Sequence, residues 1–155
     1  MAVHFHQAAD CAAALRQEPP GSEIFQADIT RQGEIERMRD AVKARTGAPD
    51  IIVTNAVIRY QWTKVLEQSP EDFRSQFESC VLQNVLMAQA FIPDMIARKR
   101  ERVIAISSER AMQNALGQSA NVSGKRDMDG LLRVLAREVG EHGITVNQVA
   151  RLDCE

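Results

Sequence analysis

The chain has 155 residues, of which 45% are hydrophobic and 26% are charged. This balance is typical of one globular domain and excludes a disordered chain, and no apolar run is long enough to cross a membrane. A formal net charge of -2 excludes a basic surface for nucleic acid, and three unclustered cysteines favour free thiols in a reducing cytoplasm.

The pattern of apolar residues predicts short strands that alternate with longer helices. In chain order, the predicted strands are residues 3–6, 23–28, 50–55, 103–107 and 144–149. The predicted helices between them are residues 8–15, 31–45, 69–97 and 120–139. Ile51-Ile52-Val53 is a run typical of a buried parallel strand, whereas Ile35, Met38 and Val42 recur at the three- and four-residue steps of a helix. The first helix is expected to end at the breaker Pro19-Pro20-Gly21.

The two longest predicted helices have recognisable starts and apolar faces. Ser69 can cap the first of them, and Pro70 suits its first turn. Its expected inner face carries Phe73, Phe77, Val81 and Val85. The second long helix has a stripe on one side that consists of Met128, Leu131, Leu132, Leu135 and Val139.

Strands joined by helices predict right-handed crossovers and parallel pairing. We therefore expect an α/β fold, a Rossmann-like, doubly wound parallel sheet with five strands, four main helices and helices on both faces. No internal repeat, low-complexity tract or linker divides the chain. One partial domain is expected over residues 1–155.

Polar residues follow several of the predicted strands. Asp28, Asn55, Ser107 and Ser108 stand at their carboxyl ends, which is the edge where open parallel sheets bind ligands. Lys125 lies in the last predicted helix. These residues form the candidate site.

In this order and spacing, the residues resemble the short-chain dehydrogenase/reductase family of NAD(P)-dependent oxidoreductases over residues 3–150. Asp28-Ile29 is similar to the family's acid–apolar pair beside the adenine, and Asn55-Ala56 to the start of its Asn-Ala-Gly motif. The resemblance implies that Ser108 orients a substrate carbonyl and that Lys125 holds the nicotinamide ribose. It implies NAD or NADP as cofactor and a small carbonyl or alcohol substrate. The implied cofactor-binding residues are Asp28, Ile29, Asn55, Ala56 and Lys125.

The sequence departs from the family pattern in several places. No glycine-rich phosphate-binding turn precedes residue 3, so the chain is expected to begin at the family's second strand and to end before its substrate-covering segments. Asn121 stands at the position of the catalytic tyrosine, and a carboxamide cannot deliver a proton at neutral pH. Tyr60, the only tyrosine, is interpreted as a surface residue of a loop, with replacement of the missing proton donor as the alternative. Cys80, at the family's helix-asparagine position, is interpreted as a buried apolar residue.

The family's missing first strand would lie between the predicted strands 3–6 and 50–55. Its absence leaves three possibilities: the two strands pair directly, a partner chain fills the gap, or the fold is loose. Direct pairing is favoured, because each buried backbone group without a partner costs about 1–3 kcal/mol.

Two functions stay open. The first is hydride transfer between a nicotinamide cofactor and a carbonyl or alcohol. The second is a catalytically inactive remnant that at most associates with itself or with full-length relatives. A phosphoacceptor receiver domain fits less well, because its paired early acids are missing. No metal is expected, since His4 and His6 have no further ligand placed near them.

Self-association is expected through the two long helices, which begin near Ser69 and Ala120. The first of them carries apolar residues outside its expected inner face, namely Leu82, Leu86 and Met87. No nucleic-acid or membrane partner is expected.

Overall fold

Strands and helices alternate along the chain in this computed structural model, which describes residues 1–15, 20–98 and 101–151. The strands are β1 (Ala2–Phe5), β2 (Glu23–Gln26), β3 (Ile51–Thr54), β4 (Arg102–Ser108) and β5 (Thr145–Arg151). The helices are α1 (Ala9–Leu15), α2 (Gln32–Thr46), α3 (Pro70–Phe77), α4 (Gln83–Ile96), α5 (Glu109–Gln113) and α6 (Ser119–Val139). A π-helical turn, Glu78–Leu82, joins α3 to α4, and a 3-10 turn, Gly140–His142, follows α6.

Each predicted strand and helix is confirmed, with ends that differ by no more than a few residues. The predicted helix over 69–97 consists of α3, the π-helical turn and α4, and the short helix α5 was not predicted. Pro19, where the first helix was expected to end, lies outside the described residues, as do Cys154 and the side chain of Cys11.

The strands are all parallel, as expected, but they form two sheets. One sheet pairs β1 with β2, and the other has the order β3-β4-β5. The α/β, Rossmann-like class is therefore confirmed. The expected direct pairing of β1 with β3 is wrong, because in the described part of the chain each of these strands pairs on one side only.

Side-chain packing explains why the two sheets stay apart. Helix α2 buries Ile35 and Met38 in the same apolar core as Phe25 of the first sheet and Ile52 of the second. Close-packed side chains resist compression, so a shared core fixes the spacing of the elements around it. The shared core thus joins the two sheets without hydrogen bonds between β1 and β3.

The second sheet is covered mainly on one face. In β3, Ile52 and Thr54 are buried, whereas Ile51 and Val53 are 57% and 56% exposed. Successive side chains of a strand point to opposite faces, so the two exposed residues share a face. The expectation of helices on both faces is therefore wrong for β3.

Buried polar side chains alter the expected inner face of α3. Phe77 is 43% exposed, while Gln76, Ser79 and Cys80 are fully buried. Gln76 and Ser79 both donate side-chain hydrogen bonds to backbone carbonyl oxygens, which makes their burial tolerable. The predicted apolar stripe is consequently wrong at Phe77. In α6, by contrast, the stripe is confirmed: its buried members are Met128, Leu132 and Val139.

Helix α6 approaches the α3 region closely at Gly124. A Cβ atom at this position would lie 3.0 Å from the carbonyl oxygen of Gln76 and 3.3 Å from the Sγ of Cys80. Gly130, in the same helix, has nothing within 4 Å of the corresponding point. The close helix contact therefore depends on glycine at one of these positions and not at the other.

We predict opposite effects of the same substitution at these two glycines. Gly124→Ala forces the backbone of α3 away and should lower the free energy of unfolding by about 1–3 kcal/mol. Gly130→Ala adds a better helix former without a contact and should raise it by about 0.5–1 kcal/mol. Urea denaturation of both variants measures the difference, and equal stabilities would contradict the packing described here.

Candidate functional site

The parallel register brings the carboxyl ends of β3 and β4 to one edge of the second sheet. Asn55 follows β3, and Ser107 and Ser108 end β4. These residues line a cavity of about 320 Å³ together with Asn121 and Lys125 from α6. The structure thus brings four of the predicted site residues, Asn55, Ser108, Asn121 and Lys125, around one space.

Lys125 is a buried cation in the wall of this cavity. Its side chain is only 7% exposed, and its Nζ donates a hydrogen bond to the carbonyl oxygen of Ile106 at 2.6 Å. Burial lowers the pKa of the Lys125 ammonium below its ordinary value; nearby Cys80 opposes this shift and Arg151 adds to it. An ammonium has three donors, and the described part of the chain uses one of them, so the others can bind a ligand.

Ser108 has a structural role as well as its place in the cavity. Its Oγ accepts a hydrogen bond from the backbone N–H of Arg110 at 3.2 Å and caps α5. The hydroxyl keeps its own proton, which it can donate to an oxygen in the cavity. The cap fixes the rotamer of the side chain that would make this contact.

Tyr60 lies in the same cavity and is half-buried. Its hydroxyl oxygen accepts a hydrogen bond from the backbone N–H of Asn121 at 3.0 Å. Partial burial raises the pKa of Tyr60, the hydrogen bond from Asn121 opposes the shift, and Asp72 and Cys80 add to it. The interpretation of Tyr60 as a loop residue on the surface is therefore wrong, because the loop after β3 folds back onto the start of α6.

Gln76 connects that loop to Asn121. Its Nε2 donates to the carbonyl oxygen of Ile58 at 2.7 Å, and its Oε1 accepts from the Nδ2 of Asn121 at 3.0 Å. With 0% exposure, Gln76 is fully enclosed by these partners. Sequence reasoning missed this residue, because a glutamine within a helix gives no sign of being buried.

The π-helical turn is tied to the end of β3 by a second buried polar contact. Thr54 Oγ1 donates to Asn84 Oδ1 at 2.7 Å, and Asn84 Nδ2 donates to the carbonyl oxygen of Cys80 at 2.7 Å. Cys80 is a free cysteine with 1% exposure, so its predicted burial is confirmed. Burial raises the pKa of its thiol, and the nearby Lys125 opposes that shift.

A second cavity, of about 910 Å³, lies at the carboxyl ends of β1, β2 and β3. Asp28, Ile29 and Ala56 line it, and Arg59 lines both this cavity and the smaller one. The two cavities therefore adjoin along the loop after β3. All four predicted cofactor-binding residues other than Lys125 lie along this pair of cavities: Asp28, Ile29, Asn55 and Ala56.

The carboxylate of Asp28 is held by its own turn. It accepts hydrogen bonds from the backbone N–H and the hydroxyl of Thr30 at 2.9 and 2.7 Å, and from Nε of Arg31 at 3.2 Å. Partial burial raises the pKa of Asp28, but the hydrogen bonds from Thr30 and Arg31 outweigh it and leave the pKa below its ordinary value. Asp28 is thus a charged acceptor at neutral pH.

His4, in β1, and His6, just after it, are not part of a cluster of metal ligands among the described residues. The ring Nε2 of His4 is 2.8 Å from the carbonyl oxygen of Ala27, with which it shares a hydrogen bond. Within residues 1–15, 20–98 and 101–151, no group of three or more His, Cys, Asp or Glu side chains is arranged to hold a metal ion. Over the same ranges, no helix combines the length and the apolar character needed to cross a bilayer.

Comparisons of the sequence and of the structure with known proteins identify the same family. The sequence profile of the short chain dehydrogenase family matches residues 1–151. The chain is 30% identical to an NADPH-dependent pterin aldehyde reductase of Arabidopsis thaliana, over 76% of its own length and 49% of the relative's. It is 32% identical to a D-beta-hydroxybutyrate dehydrogenase of Rhizobium meliloti, over 79% and 47%.

Solved structures show the same fold. A short-chain dehydrogenase from Streptomyces avermitilis superposes with a TM-score of 0.85 and 28% identity, over 96% of this chain and 54% of the other. A short chain oxidoreductase from Pseudomonas aeruginosa PAO1, described as NADPH bound and as containing an atypical catalytic center, superposes with a TM-score of 0.84, over 96% and 60%. At 21% identity, the second likeness shows the fold alone.

The chain belongs to the short-chain dehydrogenase family, whose members are oxidoreductases that typically depend on NAD or NADP. It spans about half the length of the curated relatives that it matches.

The buried ammonium predicts a specific dependence of stability on pH. Because the pKa of Lys125 is lowered in the folded state, the unfolded chain binds more protons between that pKa and about 10.4. The free energy of unfolding should therefore rise with pH in this interval, by about 1.4 kcal/mol for each pKa unit of depression. Lys125→Met should lack this rise.

Urea denaturation at several alkaline pH values tests the prediction. Both chains should also carry Cys80→Ala, because burial raises the pKa of this thiol, so its ionisation also makes stability depend on pH, and because the thiol interacts electrostatically with Lys125. If the free energy of unfolding varied with pH in the same way for the two chains, the pKa of Lys125 would not be lowered in the folded state.

Proposed function

We propose that this protein transfers a hydride between a nicotinamide dinucleotide and a small carbonyl or alcohol substrate. The supporting observation is that two adjoining cavities bring together an ionised acid, Asp28, and a cluster of proton-bearing groups, Ser108, Lys125 and Tyr60. Both cavities lie at the carboxyl ends of parallel strands, and open parallel sheets generally bind ligands at that edge. The three unclustered cysteines support a cytoplasmic location as part of the same proposal.

The donors and acceptors of the two cavities fit the two ends of such a cofactor. Asp28, with Ile29 and Ala56 beside it, would hold the adenosine, since its carboxylate accepts hydrogen bonds from amino and hydroxyl groups. Asn55 and Lys125 would hold the nicotinamide ribose. The bound cofactor would supply or accept the hydride.

The diphosphate would lie between these ends, where the two cavities adjoin. Arg59 lines both cavities, so its guanidinium is available to a diphosphate that passes from one to the other. A guanidinium binds phosphate oxygens with paired N–H donors. We therefore assign to Arg59 a contact with the diphosphate that offsets part of its negative charge.

Ser108 and Lys125 would act on the substrate side. The hydroxyl of Ser108 can donate to a carbonyl oxygen while the Arg110 N–H holds it in place. Lys125 contributes positive charge in a partly enclosed space, where an electrostatic interaction is stronger than in water. Asn121, at the family's tyrosine position, commits its carboxamide to Gln76.

Cofactor binding decides between this proposal and an inactive remnant. Titration calorimetry with NADPH and with NADH should give a micromolar dissociation constant for at least one of them. Asp28→Ala and Arg59→Gln should each raise the dissociation constant about tenfold or more, because each variant loses one charge-assisted hydrogen bond to the nucleotide. Asp40→Ala, an exposed acid in α2, serves as the matched control and should bind like the unaltered chain.

Millimolar or undetectable binding of both nucleotides would overturn the proposal and favour the remnant. Equal weakening by Asp28→Ala and Asp40→Ala would overturn the assignment of the adenosine end.

We also propose that the chain associates with itself through the helices that begin near Ser69 and Ala120. A surface groove between α3 and α6 is lined by Phe73, Phe77 and Leu82. Phe77 and Leu82 are 43% and 40% exposed, although both are large apolar side chains. A second copy of the same groove would cover them in a two-fold arrangement.

Light scattering at micromolar concentration should therefore give a mass above 17.3 kDa. Phe77→Asp should reduce the mass to that of one chain, because a charge in the interface lacks a partner. Leu66→Asp is the control, since Leu66 is 98% exposed and lies outside the groove. A monomeric unaltered chain, or equal effects of the two variants, would contradict this arrangement.

A further inference from the structure

The loop after β3 is attached to the start of α6 at two points. The carbonyl oxygen of Ile58 accepts from Gln76, whose own side chain accepts from the carboxamide of Asn121. Two residues further along the loop, the Tyr60 hydroxyl accepts from the backbone N–H of Asn121. Asn121 therefore binds the loop directly through its backbone N–H and indirectly through its side chain and Gln76.

This attachment fixes the phenol oxygen, and no group among the described residues accepts the phenol's proton. A phenol has one donor and can also accept, and here the acceptor site is taken by an N–H group. The O–H bond is free to donate to another oxygen in the cavity. Because Asn121 is in the first turn of α6, its N–H has no partner within the helix and is available for this contact.

The same N–H group stabilises the phenol oxygen after the proton leaves. A hydrogen bond to an ionised acceptor is roughly twice as strong as one to a neutral acceptor. Partial burial, on the other hand, raises the pKa of Tyr60 and keeps the phenol protonated at neutral pH. The group is thus protonated before reaction and stabilised after it.

We propose that Tyr60 is the proton donor to the substrate oxygen, in place of the tyrosine that the family has at position 121, and that Asn121 and Gln76 are its positioning residues. This rests on the proposed hydride transfer. The carbonyl carbon gains a hydride, for which a reduced nicotinamide dinucleotide is the reductant, and the π electron pair moves onto oxygen. The oxygen takes the proton of Tyr60, whose O–H bond breaks and leaves a phenolate. Water returns a proton to the phenolate.

The chain offers a direct measurement of this phenol, because Tyr60 is its only tyrosine. Ultraviolet absorbance of tyrosinate during a pH titration therefore reports Tyr60 alone. Asn121→Ala and Asn121→Pro both remove the carboxamide, but only the proline removes the N–H donor, and proline is tolerated in a first helical turn. The charged groups that also act on the phenol, Asp72 and Cys80, are the same in both variants.

The midpoint of Tyr60 ionisation should be about one to two pH units higher in Asn121→Pro than in Asn121→Ala. This difference corresponds to the loss of one hydrogen bond to a charged oxygen. This measurement needs no cofactor. Identical midpoints would show that the Asn121 N–H does not hold the phenol in solution and would overturn the proposal.

Turnover provides the second measurement, with NADPH and three carbonyl probes: an aliphatic ketone, an aromatic aldehyde and a quinone. Tyr60→Phe should lower kcat about 10²- to 10⁴-fold while the KM values and NADPH binding stay close to those of the unaltered chain. Adding Asn121→Tyr to Tyr60→Phe should restore part of the lost rate, because it returns a phenol to the family's position.

The outcomes separate the two proposals. If the unaltered chain binds neither nucleotide, the proposed function fails and the role of Tyr60 fails with it. If the chain binds and turns over, but Tyr60→Phe is as fast, the function stands and the assignment of Tyr60 is overturned. Binding without turnover of any probe would overturn the proposed hydride transfer and, with it, the role of Tyr60, because a bound reduced nicotinamide beside a positioned proton donor should reduce at least the quinone.

Discussion

The parallel pairing of β3 with β4 is the constraint on which the site depends. Because both strands run in one direction, their carboxyl ends meet at one edge, and Asn55 and Ser108 come together there although they are far apart in the sequence. Helix α6 then crosses this edge and adds Lys125. If either strand ran the other way, these side chains would stand at opposite ends of the sheet.

Buried polar side chains provide the second level of organisation. Gln76 and Asn84 lie inside the helical layer, and each satisfies its amide with groups from other elements. Such contacts are strong when all partners are present, because water is excluded around them. Gln76 attaches the irregular loop after β3 to Asn121 of α6, whose N–H binds Tyr60 and gives it a fixed position.

The two sheets show how side-chain packing can replace backbone pairing. The favoured expectation of hydrogen bonds between β1 and β3 considered only the cost of unpaired backbone groups. It omitted the shared core under α2, which contains Ile35 and Met38 together with apolar residues of both sheets. The core holds the strands at a spacing that their own hydrogen bonds do not set, and the larger cavity opens at their ends.

The order of strands and helices, the parallel class and the residues at the strand ends follow from the sequence alone. They are encoded locally: apolar runs such as Ile51-Ile52-Val53 and the spacing of Ile35, Met38 and Val42 are visible without any contact between distant residues. The position of Tyr60, the burial of Gln76 and the separation of the sheets are decided only by the tertiary structure. Each of them depends on which distant group satisfies a polar atom or fills a space, and hydrophobic periodicity contains no information about such partners.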